Sequence, residues 1–321
     1  GLDPRLVRAC ADIGWARPTL VQSRALPLAV GGRDLLLRAQ TGSGKTGAYV
    51  LAALQGLLGN ESGGEGYGGD GGVESGSGGE GGGGKEVEAV ILVPSRDLVG
   101  QVSDVVDQLT RYCRSSIGGV VRLDGSRGTG AESAALSLGG RVLVSTPGRL
   151  VWHLRNTKLD AWSRPGGTQL LSSVRFLVVD EADLCLAFGH GKDVQLIAAA
   201  LPASVQSVLA SATLSPGVDR LRRLVLRQPA VLRLDEAVTD GKLEQYSLEC
   251  ASGDKHVLVV ALTKLGLLVG RTVIFCNQVD EAYKLRLVLA AFGVTAHVWN
   301  PKLPASARAI AVSRFHRGEF D

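Results

Sequence analysis

Ala39-Gln40-Thr41-Gly42-Ser43-Gly44-Lys45-Thr46 is the stretch from which the rest of the chain is read. It follows a short apolar run, Asp34-Leu35-Leu36-Leu37-Arg38, and opens a stretch with helical apolar spacing, Thr46 to Leu58. A strand, a glycine-rich turn and a helix in that order form the setting a phosphate-binding loop needs. The glycines let backbone N–H groups turn inward around an anion, and the helix N-terminus adds a favourable dipole. Lys45 would reach the terminal phosphates, and the Thr46 hydroxyl would face Mg²⁺. The general pattern begins with Gly, where this chain has Ala39. An incidental lysine on a glycine-rich turn is the competing reading, and the Gly-x-Gly-Lys-Thr core in this setting weighs against it.

Outward from this loop, strand-like and helix-like segments alternate. Ala89–Val93, Val142–Val144, Phe176–Val179 and Ser207–Ala210 are short apolar runs bounded by turn signals, as strands buried on both faces are. Longer stretches such as Val99 to Tyr112 and Val194 to Leu201 have helical spacing. The alternation predicts a parallel sheet with helices on both faces. The Phe176–Val179 run ends in Asp180-Glu181-Ala182-Asp183, where the strand's carboxyl end would face the same crevice as the phosphate loop. Asp180 is placed to hold Mg²⁺ through water, and Glu181 to orient and deprotonate an attacking water. An acidic pair after a strand is by itself often only a helix N-terminal turn. Its pairing with residues 39–46 favours the catalytic reading. Ser211-Ala212-Thr213 closes a further strand, with two hydroxyls that could report the state of the carboxylates.

The chain has 321 residues, enough for about two domains. At 45% hydrophobic and 21% charged it has the composition of a folded protein, which excludes collagen, coiled coil and wholesale disorder. No apolar run reaches the ~18 residues that a membrane-spanning helix needs, so no membrane partner is expected. Residues 59–84 hold 15 of the 43 glycines and five acids, and no Lys or Arg. This stretch is expected to be a disordered surface insertion, either tolerated or regulatory, with the first favoured. Without its five acids the formal net charge rises from +4 to +9. A basic body suits an anionic partner such as nucleic acid, and a solvated basic surface fits as well. The five cysteines form no C-x-x-C pair, which argues against a zinc site or disulfide framework. A chain of this size without methionine reads as a piece of a longer protein.

Residues 235–242 are polar with a turn signal and read as a linker between a domain at 1–234 and a second unit at 243–321. In the second unit Leu243–Cys250, Thr272–Phe275 and Thr295–Trp299 are expected to be extended. Val257–Leu268, Val279–Phe292 and Ala305–Phe315 are expected to be helical. About 79 residues is short for a doubly wound domain, so the second unit is expected to be cut mid-fold.

Taken together, residues 39–46, 180–183 and 211–213 resemble the motifs of the DEAD-box RNA helicases. Gly14-Trp15-Ala16-Arg17-Pro18-Thr19-Leu20-Val21-Gln22 resembles that family's adenine-reading motif. Pro94-Ser95-Arg96-Asp97-Leu98, Thr146-Pro147-Gly148-Arg149 and Val273-Ile274-Phe275-Cys276-Asn277 match further motifs in order. Residues 180–189, 283–286, 300–308 and 315–318 resemble the nucleolar subgroup acting in assembly of the large ribosomal subunit.

The resemblance implies two RecA-like domains, the second incomplete, with ATP and Mg²⁺ as cofactors. Gln22 and Arg17 would bind adenine, and Thr41, Gly42, Ser43, Gly44, Lys45 and Thr46 the triphosphate. Thr46 and Asp180 would serve the metal, with Lys45, Asp180 and Glu181 catalytic. Asp183, Ser211 and Thr213 would couple nucleotide state to the rest of the fold. Pro94, Ser95, Arg96, Thr146, Pro147, Gly148 and Arg149 would touch RNA phosphates and sugars, without sequence preference. It further implies pre-ribosomal protein partners and a nuclear, nucleolar location. Two departures stand out. Leu123-Asp124-Gly125 supplies one glycine where the family has a pair, and the chain ends before the family's last two motifs, which carry an arginine finger. The implied function is an RNA-stimulated ATPase that unwinds RNA or remodels ribonucleoprotein. The alternative is a nucleotide-dependent RNA-binding module with little turnover, and a DNA-directed or protein-remodelling ATPase is a third reading.

Overall fold

Strands that are apolar on both faces must be covered on both sides. The computed structural model, which describes residues 1–59, 85–156, 170–234 and 244–319, meets that requirement with a seven-stranded parallel sheet. The chain divides into two compact units, Gly1–Asp240 and Gly241–Asp321. The Gly-rich insertion, apart from Gly59, and the linker at 235–242 lie outside the described residues.

In the first unit the strands are β1 (Leu35–Ala39), β2 (Ala89–Leu92), β3 (Val120–Leu123), β4 (Val142–Ser145), β5 (Phe176–Val179), β6 (Gln206–Ser211) and β7 (Ala230–Leu234). Their spatial order is β3-β4-β2-β5-β6-β1-β7. The helices are α1 (Pro4–Asp12), α2 (Leu20–Val30), α3 (Lys45–Gly59), α4 (Arg96–Leu109), α5 (Arg114–Ile117), α6 (Gly128–Leu138) and α7 (Pro147–Asn156). They continue with α8 (Ala182–Ala187), α9 (Gly191–Ala200) and α10 (Pro216–Val225).

Alternate strand residues feed two cores. On one face Leu35, Leu37, Ile91, Val144, Val178 and Val208 pack against α1 to α4. On the other, Leu36, Leu92, Leu143, Leu177 and Leu209 pack against α6 to α10. α3 is buried along nearly its whole length, as expected of a helix apolar on all sides. Asp34, just before β1, accepts from the backbone N–H groups of Ser207 (2.8 Å) and Arg227 (2.6 Å). It thereby ties the entry of β1 to β6 and to the turn before β7.

The five strands expected in this unit form, with ends shifted by at most one residue. β3 and β7, at the sheet edges, were not among them.

The second unit differs from expectation. Helix α11 (Lys255–Lys264) begins two residues and ends four residues earlier than its expected span, and α12 (Val279–Ala291) and α13 (Ala305–His316) form where predicted. The runs expected to be extended, 244–250, 272–275 and 295–299, form no strand among the described residues. A parallel strand needs hydrogen-bonded neighbours and cover on both faces. Here the buried apolar core among the described residues is Val260, Leu285 and Leu289, and Phe275 is 92% exposed.

Candidate nucleotide and nucleic-acid site

The order β5-β6-β1 makes neighbours of three strands that are far apart in sequence, with Val179 paired to Leu209 and Arg38 to Ser211. All three run the same way, so the residues that follow them meet at one sheet edge.

The loop after β1 turns through Gly42 (φ 86°) and Gly44 (φ 91°), in the left-handed region where a side chain is strained. Nothing lies within 4 Å of where a Cβ on Gly42 would sit, so that side of the loop is open. Ser43 closes the turn, its backbone N–H (3.3 Å) and Oγ (2.8 Å) both donating to the Gln40 carbonyl. Thr41 and Gly42 are exposed and Thr46 is half-buried. Lys45 opens α3 and is 7% exposed, its Nζ donating to the carbonyls of Ala39 and Gln40. The ammonium is thus held at the mouth of the loop.

Gln22 reaches the loop from α2. Thr19 and Gln22 form a capping box. The Thr19 N–H donates to Gln22 Oε1 (2.9 Å), and Gln22 Nε2 donates to the Gly44 carbonyl (3.3 Å). A Cβ on Gly47 would sit 2.6 Å from Gln22 Nε2 and 2.8 Å from the Trp15 ring, so this approach requires glycine there. Arg17 is exposed, and no contact brings it to the loop among the described residues.

From β5, the buried Asp180 accepts from the Glu181 N–H through Oδ1 (2.9 Å) and from the Tyr49 hydroxyl through Oδ2 (2.7 Å). Burial pushes its pKa up against the pull of these hydrogen bonds and of Lys45. Glu181 is also raised, by burial and then by the charge of Asp180. Its backbone lies at φ 46°, ψ 52°, uncommon for any residue but glycine. Burial and then the Asp180 charge raise Tyr49 well above the ordinary tyrosine range, against a smaller lowering pull from the Thr46 hydroxyl. Asp183 Oδ2 accepts from the Thr213 N–H (3.1 Å) and Oγ1 (3.0 Å). Ser211 does not bond Asp183 directly; its Oγ donates to the Thr213 carbonyl (2.7 Å) and so shapes the turn that presents Thr213.

The other half of the sheet, β3-β4-β2, gathers the second set of predicted residues at the same edge. Pro94 is buried, and Ser95 is used as the N-cap of α4, its Oγ accepting from the Leu98 N–H (3.3 Å). Arg96 is exposed beside Gly125, where an added Cβ would lie 3.6 Å from its guanidinium and 3.8 Å from Arg149 Nε. Thr146, at the end of β4, accepts the first backbone bonds of α7 from Arg149 and Leu150 (both 3.1 Å). Pro147 is buried, and a Cβ on Gly148 would touch Asp193 and His190, so α7 starts tight against α9.

Arg149 is anchored by a residue that sequence reading did not single out. Glu132 on α6 is 1% exposed and accepts from Arg149 Nε (2.7 Å), His153 Nε2 (2.8 Å) and the Gly125 N–H (2.6 Å). Burial pushes its pKa up, but the bonds from Arg149, His153 and Gly125 outweigh that and hold it below the ordinary glutamate range. The Arg149 guanidinium also lies over the Trp152 ring, 4.6 Å from its centre. Tyr49 was likewise missed, because only the fold brings its hydroxyl to Asp180, 131 residues away in sequence.

Similarity to known proteins follows the same residues. The family profile described as DEAD/DEAH box helicase matches residues 19–221. The whole chain aligns at 38% identity with a protein named probable ATP-dependent RNA helicase ddx56 from Dictyostelium discoideum, covering 43% of that protein. Over 99% of its length it is 36% identical to the ATP-dependent RNA helicase dbp9 of Schizosaccharomyces pombe, covering 49% of it. The chain thus spans a little under half the length of the curated relatives it matches. In fold it is similar to S. cerevisiae dbp5, solved bound to gle1 and ip6, with TM-score 0.69, 23% identity, and coverage of 100% of this chain and 72% of that one. The matched span contains the phosphate loop, the Asp180–Asp183 turn and the arginine-bearing loops, and on that ground the chain belongs to the DEAD/DEAH box helicase family.

Proposed function

We propose that this chain is the nucleotide- and RNA-binding portion of an ATP-dependent RNA helicase. The observation that carries the reading is the division of one sheet edge. The loops after β1, β5 and β6 gather the phosphate loop and carboxylates, and the loops after β2, β3 and β4 gather Arg96, Gly125 and Arg149. One edge thus presents an anion-binding cleft beside a basic strip. The chemistry of the cleft fits ATP with Mg²⁺. The Thr46 hydroxyl and the Asp180 carboxylate are hard oxygen donors, and no group of three His, Cys, Asp or Glu among the described residues could hold a metal alone. That matches a Mg²⁺ held by one or two side chains together with substrate phosphates and waters.

Each residue then has a task. Lys45 and the first N–H groups of α3 take up phosphate charge. Gln22 spends one N–H and one lone pair on the protein and keeps one of each, the pair an adenine edge requires. Glu181 accepts the proton of the attacking water, its raised pKa bringing its basicity closer to neutral pH. Mg²⁺, when bound, would screen the phosphates and align the terminal group for in-line attack. Asp183 and Thr213 link this turn to β6. Ser95, Arg96, Thr146 and Arg149 hold RNA through its backbone, which carries no sequence information.

ATP hydrolysis by the full-length protein with and without single-stranded RNA, beside Lys45→Ala, tests the reading. RNA-stimulated turnover that disappears in the variant is expected; turnover indifferent to RNA would contradict it. A role in assembly of the large ribosomal subunit, in the nucleolus and with pre-ribosomal protein partners, is part of the proposal. It is supported by the resemblance of residues 180–189, 283–286, 300–308 and 315–318. A second reading, a nucleotide-dependent RNA-binding module, is favoured for the 321-residue chain alone. Its second unit forms no sheet among the described residues, and no arginine there matches the family's finger by motif. Under that reading this chain hydrolyses ATP much more slowly than the full-length protein.

A further inference from the structure

The Tyr49 phenol is 1% exposed and packed in the core beneath the phosphate loop, yet its hydroxyl is not part of that packing. A phenylalanine would fill the same space without a donor. The hydroxyl donates to Asp180 Oδ2 at 2.7 Å, across 131 residues of sequence. The other carboxylate oxygen is fixed by the Glu181 N–H at 2.9 Å. Held at both oxygens, the carboxylate is restrained against rotation about its terminal bond. Tyr49 also lies three residues after Thr46 on α3, so the two side chains share a helix face.

We propose that Tyr49 is a positioning residue that locks the Asp180 carboxylate to the phosphate-loop helix, so that Thr46 and Asp180 form a pre-set pair of oxygens for a nucleotide-bound divalent cation. This rests on the reading of the cleft as an ATP site. The simpler account is that a buried hydroxyl needs any acceptor and Asp180 is the nearest. The two accounts part at the metal. If the hydroxyl only satisfies burial, its loss lowers stability and leaves metal dependence alone. If it positions Asp180, its loss weakens the contribution of the cation.

The test is Tyr49→Phe in the 321-residue chain, read by equilibrium binding of a fluorescent ADP derivative in EDTA and across a Mg²⁺ titration. Nucleotide affinity in EDTA is expected to stay within about twofold of the parent. The Mg²⁺ concentration giving half of the affinity gain is expected to rise roughly tenfold, the scale of one charge-assisted hydrogen bond. In an Asp180→Asn background the same substitution is expected to leave the Mg²⁺ dependence unchanged, since the carboxylate it acts through is gone. An unaltered Mg²⁺ midpoint in folded Tyr49→Phe would overturn the proposal, as would an equal shift with and without the Asp180 carboxylate. Should Tyr49→Phe fail to fold, comparing Asp180→Asn with Asp180→Ala takes its place. Asparagine keeps an acceptor for the phenol but loses the charge, so in both the Mg²⁺ midpoint is expected to rise above that of the parent while the cation still acts through Thr46 and the phosphates, and an unshifted midpoint in either would overturn the proposal. If the parent chain binds no adenine nucleotide at all, the ATP-site reading itself fails and the proposal falls with it. A shift-free Tyr49→Phe in a chain that binds nucleotide refutes only the role of Tyr49.

Discussion

Glu181 combines two features that seldom occur by accident: a left-handed backbone and a carboxyl raised by burial and by its neighbour Asp180. A non-glycine residue held there costs about 1–3 kcal/mol, and such strain clusters at functional sites. Glu181→Gln keeps the shape and removes the base. Hydrolysis by the full-length protein should fall roughly 10²- to 10⁴-fold, with nucleotide affinity little changed. Retained turnover would remove Glu181 from the mechanism. Glu132 calls for a different experiment. Its pKa is depressed in the fold, so the stability it contributes is complete above the ordinary glutamate range and is lost as pH falls through the depressed value. Glu132→Gln should therefore be less stable than the parent by about 1–3 kcal/mol near neutral pH. The gap should close on acidification, as measured by urea unfolding over a pH series; a gap independent of pH would contradict the ion-pair account. Lys45, Asp180 and Glu181 could be proposed from sequence because each falls within a short contiguous motif. Glu132 could not, because its partners lie 7, 17 and 21 residues away and only the fold brings them to one carboxylate.

Among the elements, the β1–α3 unit was legible because its strand, glycine turn and helix are contiguous in sequence. Its contact with α2 was not, since it depends on the missing side chain of Gly47. Gly47→Ala would place a methyl group 2.6 Å from Gln22 Nε2 and 2.8 Å from Trp15. Overpacking of this kind costs about 1–3 kcal/mol, and here it should also push the Gln22 amide off the Gly44 carbonyl. Discrimination of ATP from GTP should drop together with thermal stability; stability lost with selectivity intact would separate Gln22 from base reading. The edge strands escaped the sequence reading for a physical reason. In β3 only alternate residues are fully buried, and Arg122 in its middle pairs with Asp104 (2.9 Å) and Asp107 (2.6 Å) on α4. A half-buried strand with a charge in it lacks the unbroken apolar run that marked the central strands. The opposite error occurred in the second unit, where Val273-Ile274-Phe275 has the pattern of a buried strand and stands exposed. Pattern reports what a segment could bury, and burial needs partners that the pattern does not contain.

At the scale of the molecule, strand order is the feature that sequence could not supply and that the proposed function most depends on. Motif order along the chain runs phosphate loop, Arg96, Arg149, Asp180, Thr213, interleaving the residues proposed for nucleotide with those proposed for RNA. The spatial order β3-β4-β2-β5-β6-β1-β7 separates them into adjacent halves of one edge. RNA held on the β2, β3 and β4 half should bind through phosphates, so its affinity should fall steeply with salt. Arg149→Ala should weaken binding to all single strands alike and lower the slope of log affinity against log salt by about 0.7, the share of one phosphate contact. A loss confined to particular sequences would contradict backbone recognition. The claim beneath all of this is that the cleft at β1, β5 and β6 is an adenine-nucleotide site. Its most direct test is equilibrium binding of ATP and GTP to this chain in Mg²⁺, repeated with Lys45→Ala and Gln22→Ala. The account predicts that ATP binds in preference to GTP, that Lys45→Ala abolishes binding of both, and that Gln22→Ala removes the preference. Equal affinity for the two nucleotides in the parent chain, or ATP binding unaffected by Lys45→Ala, would contradict it.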